Sequence, residues 1–530
     1  MTSRFCHAKI KRFQISGTFD DGCRSANMKF HAIIDKKVLA RLTVILLVAL
    51  FLRLLMLGRQ SLWLDEFASW MFASKDLQHV LRSEPTNPPL YYLLLHFWMG
   101  WFGTSESAIR SLSVVPSLFS VLLIYCFAER LFTRQIAYLA AIYQAISTFQ
   151  IYYAQEGRCF SLLVSILLLA TFSLWNAWEA DSTLRRLLYY CAYALLCALA
   201  LYTHFISIFF LAWHGLYVLF RRPKQLLAVG TSIAASLLLF SPWLVTMLGA
   251  ASGGGQARRY IWLKLPQAYL SFLYGDSLIP LDEEAVQHIP QTLRANWWIL
   301  AASLLSIASL VPFGRLAWKR WGDRMLFVFT MALIPVLLAF LVSFKVMLFD
   351  ERYLIPASPF LYVVVSATIW EIRLLAVNQA APRRLVSIGR VACVVYCVLL
   401  AISLYHYYFN PRFGKEQWRE ADAYIDSLAL PGENAMIIFD PDYLLPCYQY
   451  YTTRNLPGWQ VTPQIEAKLA TSGSLLEEHT RGSQQILLVR SHDNEDTVVN
   501  AMRNAFGQEG YRKFNRANPI EVYSFRRSQR

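Results

Sequence analysis

Most of the chain alternates long apolar stretches with short polar or basic segments. Apolar runs near 39–57, 107–128, 135–152, 160–178, 186–203, 205–220, 226–249, 295–313, 325–344, 353–371 and 385–409 approach the length a helix needs to cross a lipid core. They predict about eleven membrane-spanning helices. The run 186–220 also fits a single hairpin or a kinked helix, and the aromatic run 89–102 fits a segment lying in the membrane interface. Beyond Asn410 the pattern becomes that of a soluble domain, with helices expected over Trp418–Ser427 and Val498–Phe506 and buried strands over Ala435–Phe439 and Gln485–Val489. The segment 250–294 opens with Ser-Gly-Gly-Gly at 252–255 and continues through aromatics, acids and prolines, which reads as a long, partly flexible outer loop. No repeat of fixed period is evident.

Composition supports lipid as the solvent, since 56% of the 530 residues are hydrophobic and only 16% are charged. The net charge of +15 would suit a nucleic-acid partner, but the basic residues fall in short clusters between the apolar runs, which fits membrane orientation and no nucleic acid. With a cytoplasmic N-terminus, the inner loops hold Arg130 and Arg134, Arg185 and Arg186, Arg221, Arg222 and Lys224, Arg315 to Arg324, and Arg383 to Arg390. The opposite loops mix both signs. No small-residue cleavage site follows the first apolar run, so residues 1–38 read as a basic cytoplasmic tail, 39–410 as the membrane domain and 411–530 as a small extracytoplasmic α/β domain. The nine cysteines form no CxxC pair and sit mostly inside apolar runs, as small core residues rather than zinc ligands.

The outer loops carry the candidate chemistry. The first reads Leu62-Trp63-Leu64-Asp65-Glu66, and a carboxylate held among apolar neighbours gains basicity, so Asp65 is a candidate general base; a solvated acid or helix cap is the alternative. Further on, Asn87-Pro88-Pro89-Leu90-Tyr91-Tyr92 offers Tyr91 and Tyr92 to a sugar or headgroup, or else simply forms a rigid turn in an aromatic belt. Glu156 and Arg158 stand two positions apart at the second outer loop, where Arg158 can grip a phosphate and Glu156 a ligand, or the two can pair structurally. In Lys345-Val346-Met347-Leu348-Phe349-Asp350-Glu351-Arg352 a phosphate fits between Lys345 and Arg352, although snorkelling to the interface would explain either cation alone. His204 can donate a hydrogen bond or a proton, or be a structural histidine.

Taken in order, Leu62-Trp63-Leu64-Asp65-Glu66, Asn87-Pro88-Pro89-Leu90-Tyr91-Tyr92, Gln155-Glu156-Gly157-Arg158 with Phe160-Ser161-Leu162, Tyr202-Thr203-His204 and Glu351-Arg352-Tyr353-Leu354-Ile355-Pro356 resemble the GT-C glycosyltransferases that use polyprenyl-phosphate sugars. The likeness is to protein O-mannosyltransferases and the lipid A aminoarabinose transferase, and it spans about 39–410. Trp418-Arg419-Glu420-Ala421 is similar to the start of the outer domain in bacterial members. Members often carry His where Asn87 stands and Tyr where Phe160 stands, so neither position is given a role. The resemblance implies transfer of a sugar, with inversion, from a polyprenyl-phosphate donor at the cell (inner) membrane to an extracytoplasmic protein, lipid or glycan. It makes Asp65 the catalytic carboxylate with Glu66 in support, and Arg158, Arg352 and Lys345 the donor-phosphate cations. Glu156, Tyr91, Tyr92 and His204 would line the substrate. The leaving group is a single lipid phosphate, so these cations can suffice; no cofactor is required, and a divalent metal is compatible but not implied. The sugar and the acceptor stay open.

Two other classes compete: a transporter or lipid flippase, whose intramembrane charges would mark a substrate path, and a membrane protein that binds glycan without chemistry. No inverted repeat is visible, and the charges gather in outer loops rather than at mid-span.

Overall fold

In a computed structural model of the chain, the residues described here are 35–81, 87–250, 261–280, 288–346, 348–429, 434–454, 456–469, 474–491, 496–514 and 519–527. Most of the basic tail, Pro85, Thr86 and the glycine run 252–255 lie outside them. The chain divides into two compact units, Met1–Thr43 and Val44–Arg530. The described part of the first, 35–43, is the start of the Lys36–Leu54 helix. All that follows concerns the second.

Every expected span falls on helix, and the protein is a multi-pass membrane protein, but the count of eleven is not confirmed. Among the described residues seven helices are long and apolar enough to cross a membrane; of the expected spans outside a one-to-one match, 39–57 is the continuous 19-residue helix Lys36–Leu54 and the others are short, broken or fused. The run 135–152 is two helices, Arg134–Ile146 and Thr148–Ala154, and 205–220 is the 15-residue helix Ser207–Arg221. The runs 295–313 and 325–344 belong to one 46-residue helical segment, Trp297–Val342, kinked at Gly322, whose φ of 48° a side chain would resist. The loop 250–294 is not structureless, since Ile261–Tyr274 is a helix within it. The aromatic run 89–102 forms the helix Leu90–Phe102.

The break at Ser147 has an identifiable cause. Ser147 caps the second helix by accepting from the Gln150 N–H, while the buried Arg53 guanidinium donates to the carbonyls of Gln144 (3.1 Å) and Ala145 (2.9 Å) that the break leaves without helical partners. Arg53 thus replaces backbone bonds that lipid could not satisfy. The Gln155 amide then donates to the carbonyls of Arg53 (2.9 Å) and Leu55 (2.8 Å), which holds the segment 155–158 at the end of the first span.

The C-terminal domain is a five-stranded sheet of order β2-β1-β3-β5-β4, formed by β1 (Ala435–Asp440), β2 (Gly458–Gln460), β3 (Gln485–Arg490), β4 (Gly507–Phe514) and β5 (Ile520–Arg526). β2, β1 and β3 run parallel, with Ile437 opposite Leu487, and β5 and β4 are antiparallel. β3 is buried along its whole length, as a central strand covered on both faces must be. The expected helices are Trp418–Leu428 and Thr497–Ala505. This domain clamps the segment 60–67 that follows the first helix. Phe67 packs edge-on to Trp418 and Tyr451, the Tyr451 hydroxyl accepts from the Leu62 N–H (2.9 Å), and the Lys415 N–H donates to the Gln60 side chain (2.9 Å).

Candidate active site

Asp65 and Glu66 open the helix Leu64–Ala73, where negative charge is favoured by the free N–H groups of the first turn. Neighbours on a helix point about 100° apart, so the two carboxylates face different partners. Glu66 turns inward and is fully buried. Arg110 holds it bidentately at 2.8 and 2.7 Å, Lys415 lies 3.1 Å away, and the Gly157 N–H donates to it at 2.8 Å. Burial opposes its ionisation, but Arg110, Lys415 and the Gly157 N–H outweigh that and lower its carboxyl to about 2. Glu66 is an ionised keystone with no oxygen spare for chemistry.

Asp65 turns away from Glu66 and remains about a quarter exposed. Arg352 donates to its Oδ2 at 2.8 Å, and Arg158 Nε lies 4.0 Å from the same oxygen. Sequence positions 65, 158 and 352 therefore meet at one carboxylate oxygen. Arg158 is buried; its Nη1 donates to the Tyr92 hydroxyl (3.1 Å) and Ser69 (3.3 Å), while its Nε has no hydrogen-bond partner among the described residues. Arg352 stacks over Trp63 and Tyr353 and is drawn to Asp350 at 3.2 Å.

The other expected residues fall less evenly. Tyr92 touches Arg158, but Tyr91 is buried and pairs with Ser113 at 3.0 Å. His204 is buried against Phe205 and Tyr353, and its Nδ1 accepts from the Ile206 N–H. Burial, together with Arg158 and Arg352, lowers its imidazole to about 3, so it stays neutral. Lys345 is exposed on the turn after the kinked helix; the lysine near Glu351 is Lys264, at 3.8 Å. Glu156 is fully buried with neither carboxylate oxygen hydrogen-bonded among the described residues. Burial pushes its carboxyl up to about 7 despite the pull of Lys415.

Three groups escape a reading of the sequence. Arg110 looks like a stray charge in an apolar run, and Lys415 and Glu416 look like ordinary linker residues ahead of Trp418. Lys415 is buried, with its ammonium donating to the Gln155 carbonyl (3.1 Å) beside Glu66. Burial and Arg110 lower it to about 8 against the pull of Glu66 and Glu156. The signal for Arg110 is its cost, since an arginine inside a span needs a partner; the sequence offers Glu106 one helical turn away, but in the fold Glu106 meets Arg419 and Arg110 takes Glu66.

Beside Arg352 opens a cavity of about 410 Å³, large enough for a sugar, with Trp63, Tyr152 and Tyr153 offering ring faces and Asp276 and Glu351 offering carboxylates. Burial and Glu351 push Asp276 up to about 7. Among the described residues no set of three or more His, Cys, Asp or Glu is arranged to hold a metal ion.

Residues 86–245 match the family described as dolichyl-phosphate-mannose-protein mannosyltransferase. The undecaprenyl phosphate-alpha-4-amino-4-deoxy-L-arabinose arabinosyl transferase of Pseudomonas aeruginosa is 27% identical over 254 residues, covering 42% of this chain and 45% of that protein. The match thus spans less than half of either. The fold is similar to that of ArnT from Cupriavidus metallidurans in the apo state, with a TM-score of 0.59 at 13% identity over 92% of this chain and 98% of that one. It is also similar to the oligosaccharyltransferase of Archaeoglobus fulgidus, with a TM-score of 0.54 at 10% identity over 94% and 74% of the two chains. The fold is shared with these two structures at low identity.

Proposed function

We propose that this protein is a membrane glycosyltransferase that moves a sugar from a polyprenyl-phosphate donor to an acceptor on the outer side of the cell (inner) membrane. The observation that carries the reading is the convergence of Arg352 and Arg158 on Asp65 Oδ2, at 2.8 and 4.0 Å, at the end of a membrane-spanning bundle. A donor phosphate entering here competes with Asp65 for both guanidiniums and releases the carboxylate as a base. The acceptor oxygen or nitrogen then attacks the anomeric carbon, its proton passes to Asp65, and the bond to the phosphate oxygen breaks with its electron pair leaving on the lipid phosphate. The phosphate changes from diester to monoester and gains charge as it departs, and Arg158 and Arg352 are placed to stabilise that gain more than the ground state. Backside displacement inverts the anomeric centre. The residues supply base and cations without a cofactor. Asp276, Glu351 and the three aromatic rings contact the sugar.

The outward side is supported by the basic clusters in the opposite loops. The test is to incubate purified protein with a panel of polyprenyl-phosphate sugars, starting with the undecaprenyl phosphate aminoarabinose named for the Pseudomonas aeruginosa relative, and to identify products by mass spectrometry. Asp65→Asn should fold and abolish transfer; retained transfer removes Asp65 from its role.

A further inference from the structure

The sheet domain holds the helix Leu64–Ala73 through two of its own helices. Trp418–Leu428 sets Trp418 edge-on to Phe67 at 6.2 Å, and Leu445–Tyr451 sets Tyr450 and Tyr451 against the same ring at 5.6 and 5.8 Å. Where these two helices meet lie two carboxyls that the chemistry above does not use. Asp422 is 3% exposed, and its buried Oδ1 has no hydrogen-bond partner among the described residues. Asp426 follows four positions later, hence on the same helix face, and its Oδ1 is likewise buried and without a partner among them. Its Oδ2 accepts from the Thr453 hydroxyl at 2.7 Å.

The surroundings bring no cation to bear on Asp422. From Leu445–Tyr451 the facing group is the buried Tyr448, whose hydroxyl is raised by burial, with Asp422 and Asp426 adding to the rise. The nearby Arg454 donates to the Ala429 carbonyl, and Arg512 of β4 lies over the Tyr424 ring at 5.0 Å. On β5, Glu521 accepts from Tyr511 and Tyr523, and Arg526 lies 3.1 Å from Glu509. On the helix itself, Arg419 meets Glu106 and Glu420 accepts from Ser61. Burial, and then Asp426, push the Asp422 carboxyl up to about 7, and neither Arg454 nor Arg512 offsets them.

Two ionised carboxylates one helical turn apart would leave a buried negative charge unmatched. One proton removes that charge and gives a buried oxygen a donor. We propose that Asp422 and Asp426 carry one proton between them in the folded domain, and that losing it loosens the two helices that clamp Leu64–Ala73. The clamp is pH-sensitive: firm in acid, weaker in alkali. The sign follows from the raised carboxyl. The folded domain keeps a proton that the unfolded chain releases near 3.8, so stability falls as pH rises from there towards about 7 and stays reduced above it. This holds whichever group the site transfers.

The test uses the full-length purified protein in detergent, with thermal unfolding and hydrogen exchange read by mass spectrometry at pH 5 and pH 8. Asp422→Asn keeps the shape and offers Asp426 an amide donor without the titrating proton. At pH 8 it should raise the unfolding midpoint by about 3 °C or more, and at pH 5 the gain should shrink to within about 1 °C. At pH 8 it should also slow exchange at least about threefold in peptides spanning 64–73, 418–428 and 445–451. Asp426→Asn removes the second charge from the other side and should give the same pH dependence, so the outcome does not hang on one variant folding. Glu478→Gln, an exposed acid of the same domain, should change neither reading. A midpoint at pH 8 no higher than that of the unaltered protein in both Asn variants overturns the proposal, as does a shift of equal size at pH 5 and pH 8. A raised midpoint without slower exchange in 64–73 overturns the link to the clamp.

Discussion

Replacing Glu66 by Gln separates a keystone from a catalyst. The change keeps the shape of the side chain but removes the charge that Arg110 grips at 2.8 and 2.7 Å and that Lys415 approaches at 3.1 Å. The Glu66 carboxyl is lowered from 4.5 to about 2, and at 1.36 kcal/mol per unit that difference corresponds to roughly 3 kcal/mol of native-state stabilisation at neutral pH. Removing one partner of a buried pair costs roughly 3–5 kcal/mol by comparison with other proteins, so the two routes agree. The sign follows from the depressed carboxyl: its contribution is complete above the unfolded value and is lost as pH falls from about 4.5 towards 2. The assay is thermal unfolding in detergent followed by tryptophan fluorescence, beside sugar transfer measured at a temperature where both proteins stay folded. Glu66→Gln should lower the unfolding midpoint by several degrees and reduce transfer through loss of folded or correctly arranged protein. An unchanged midpoint combined with abolished transfer would refute the keystone assignment and return Glu66 to the chemistry.

Arg158→Lys keeps the charge but loses the planar guanidinium that engages Tyr92 and Ser69 through Nη1 while Nε faces Asp65, so KM for the lipid donor should rise about tenfold in steady-state assays. Transfer should decline as pH rises through about 8, where Lys415 loses its proton and Glu66 one of its cations, and Lys415→Arg should move that alkaline limb upward in a pH–rate profile. Gly157→Ala would place a Cβ 2.6 Å from Ile109 Cγ2 and should destabilise the protein by about 1–3 kcal/mol, measured by the same thermal scan.

The sequence made the membrane architecture legible because lipid leaves the backbone few choices: long apolar runs must be helical. It did not fix the number of spans, since the break at Ser147 and the kink at Gly322 depend on tertiary partners and special dihedrals that hydropathy does not carry. Asp65, Arg158 and Arg352 could be picked out as charges stranded at apolar boundaries. The resemblance sets Glu66 in support of Asp65, yet adjacency on a helix directs the two to different partners. Arg110 and Lys415 stayed hidden because each is a single basic residue whose partner lies 44 or 349 positions away in sequence, a separation that only the folded chain closes.

These two carboxylates divide the labour of the site. The inner one is saturated by Arg110, Lys415 and a backbone N–H, and so fixes the start of the Leu64–Ala73 helix against the span Glu106–Leu131 and the linker to the soluble domain. The outer one is then presented from a rigid base to two guanidiniums, which in the proposed mechanism an incoming phosphate draws away. Were Glu66 as exposed as Asp65, the first turn of the helix would have no fixed position. Lys415 reaches this arrangement from the linker after the last span. The C-terminal sheet domain is therefore tied into the candidate site, and a chain cut before residue 415 would lose one of the cations that hold Glu66 in place.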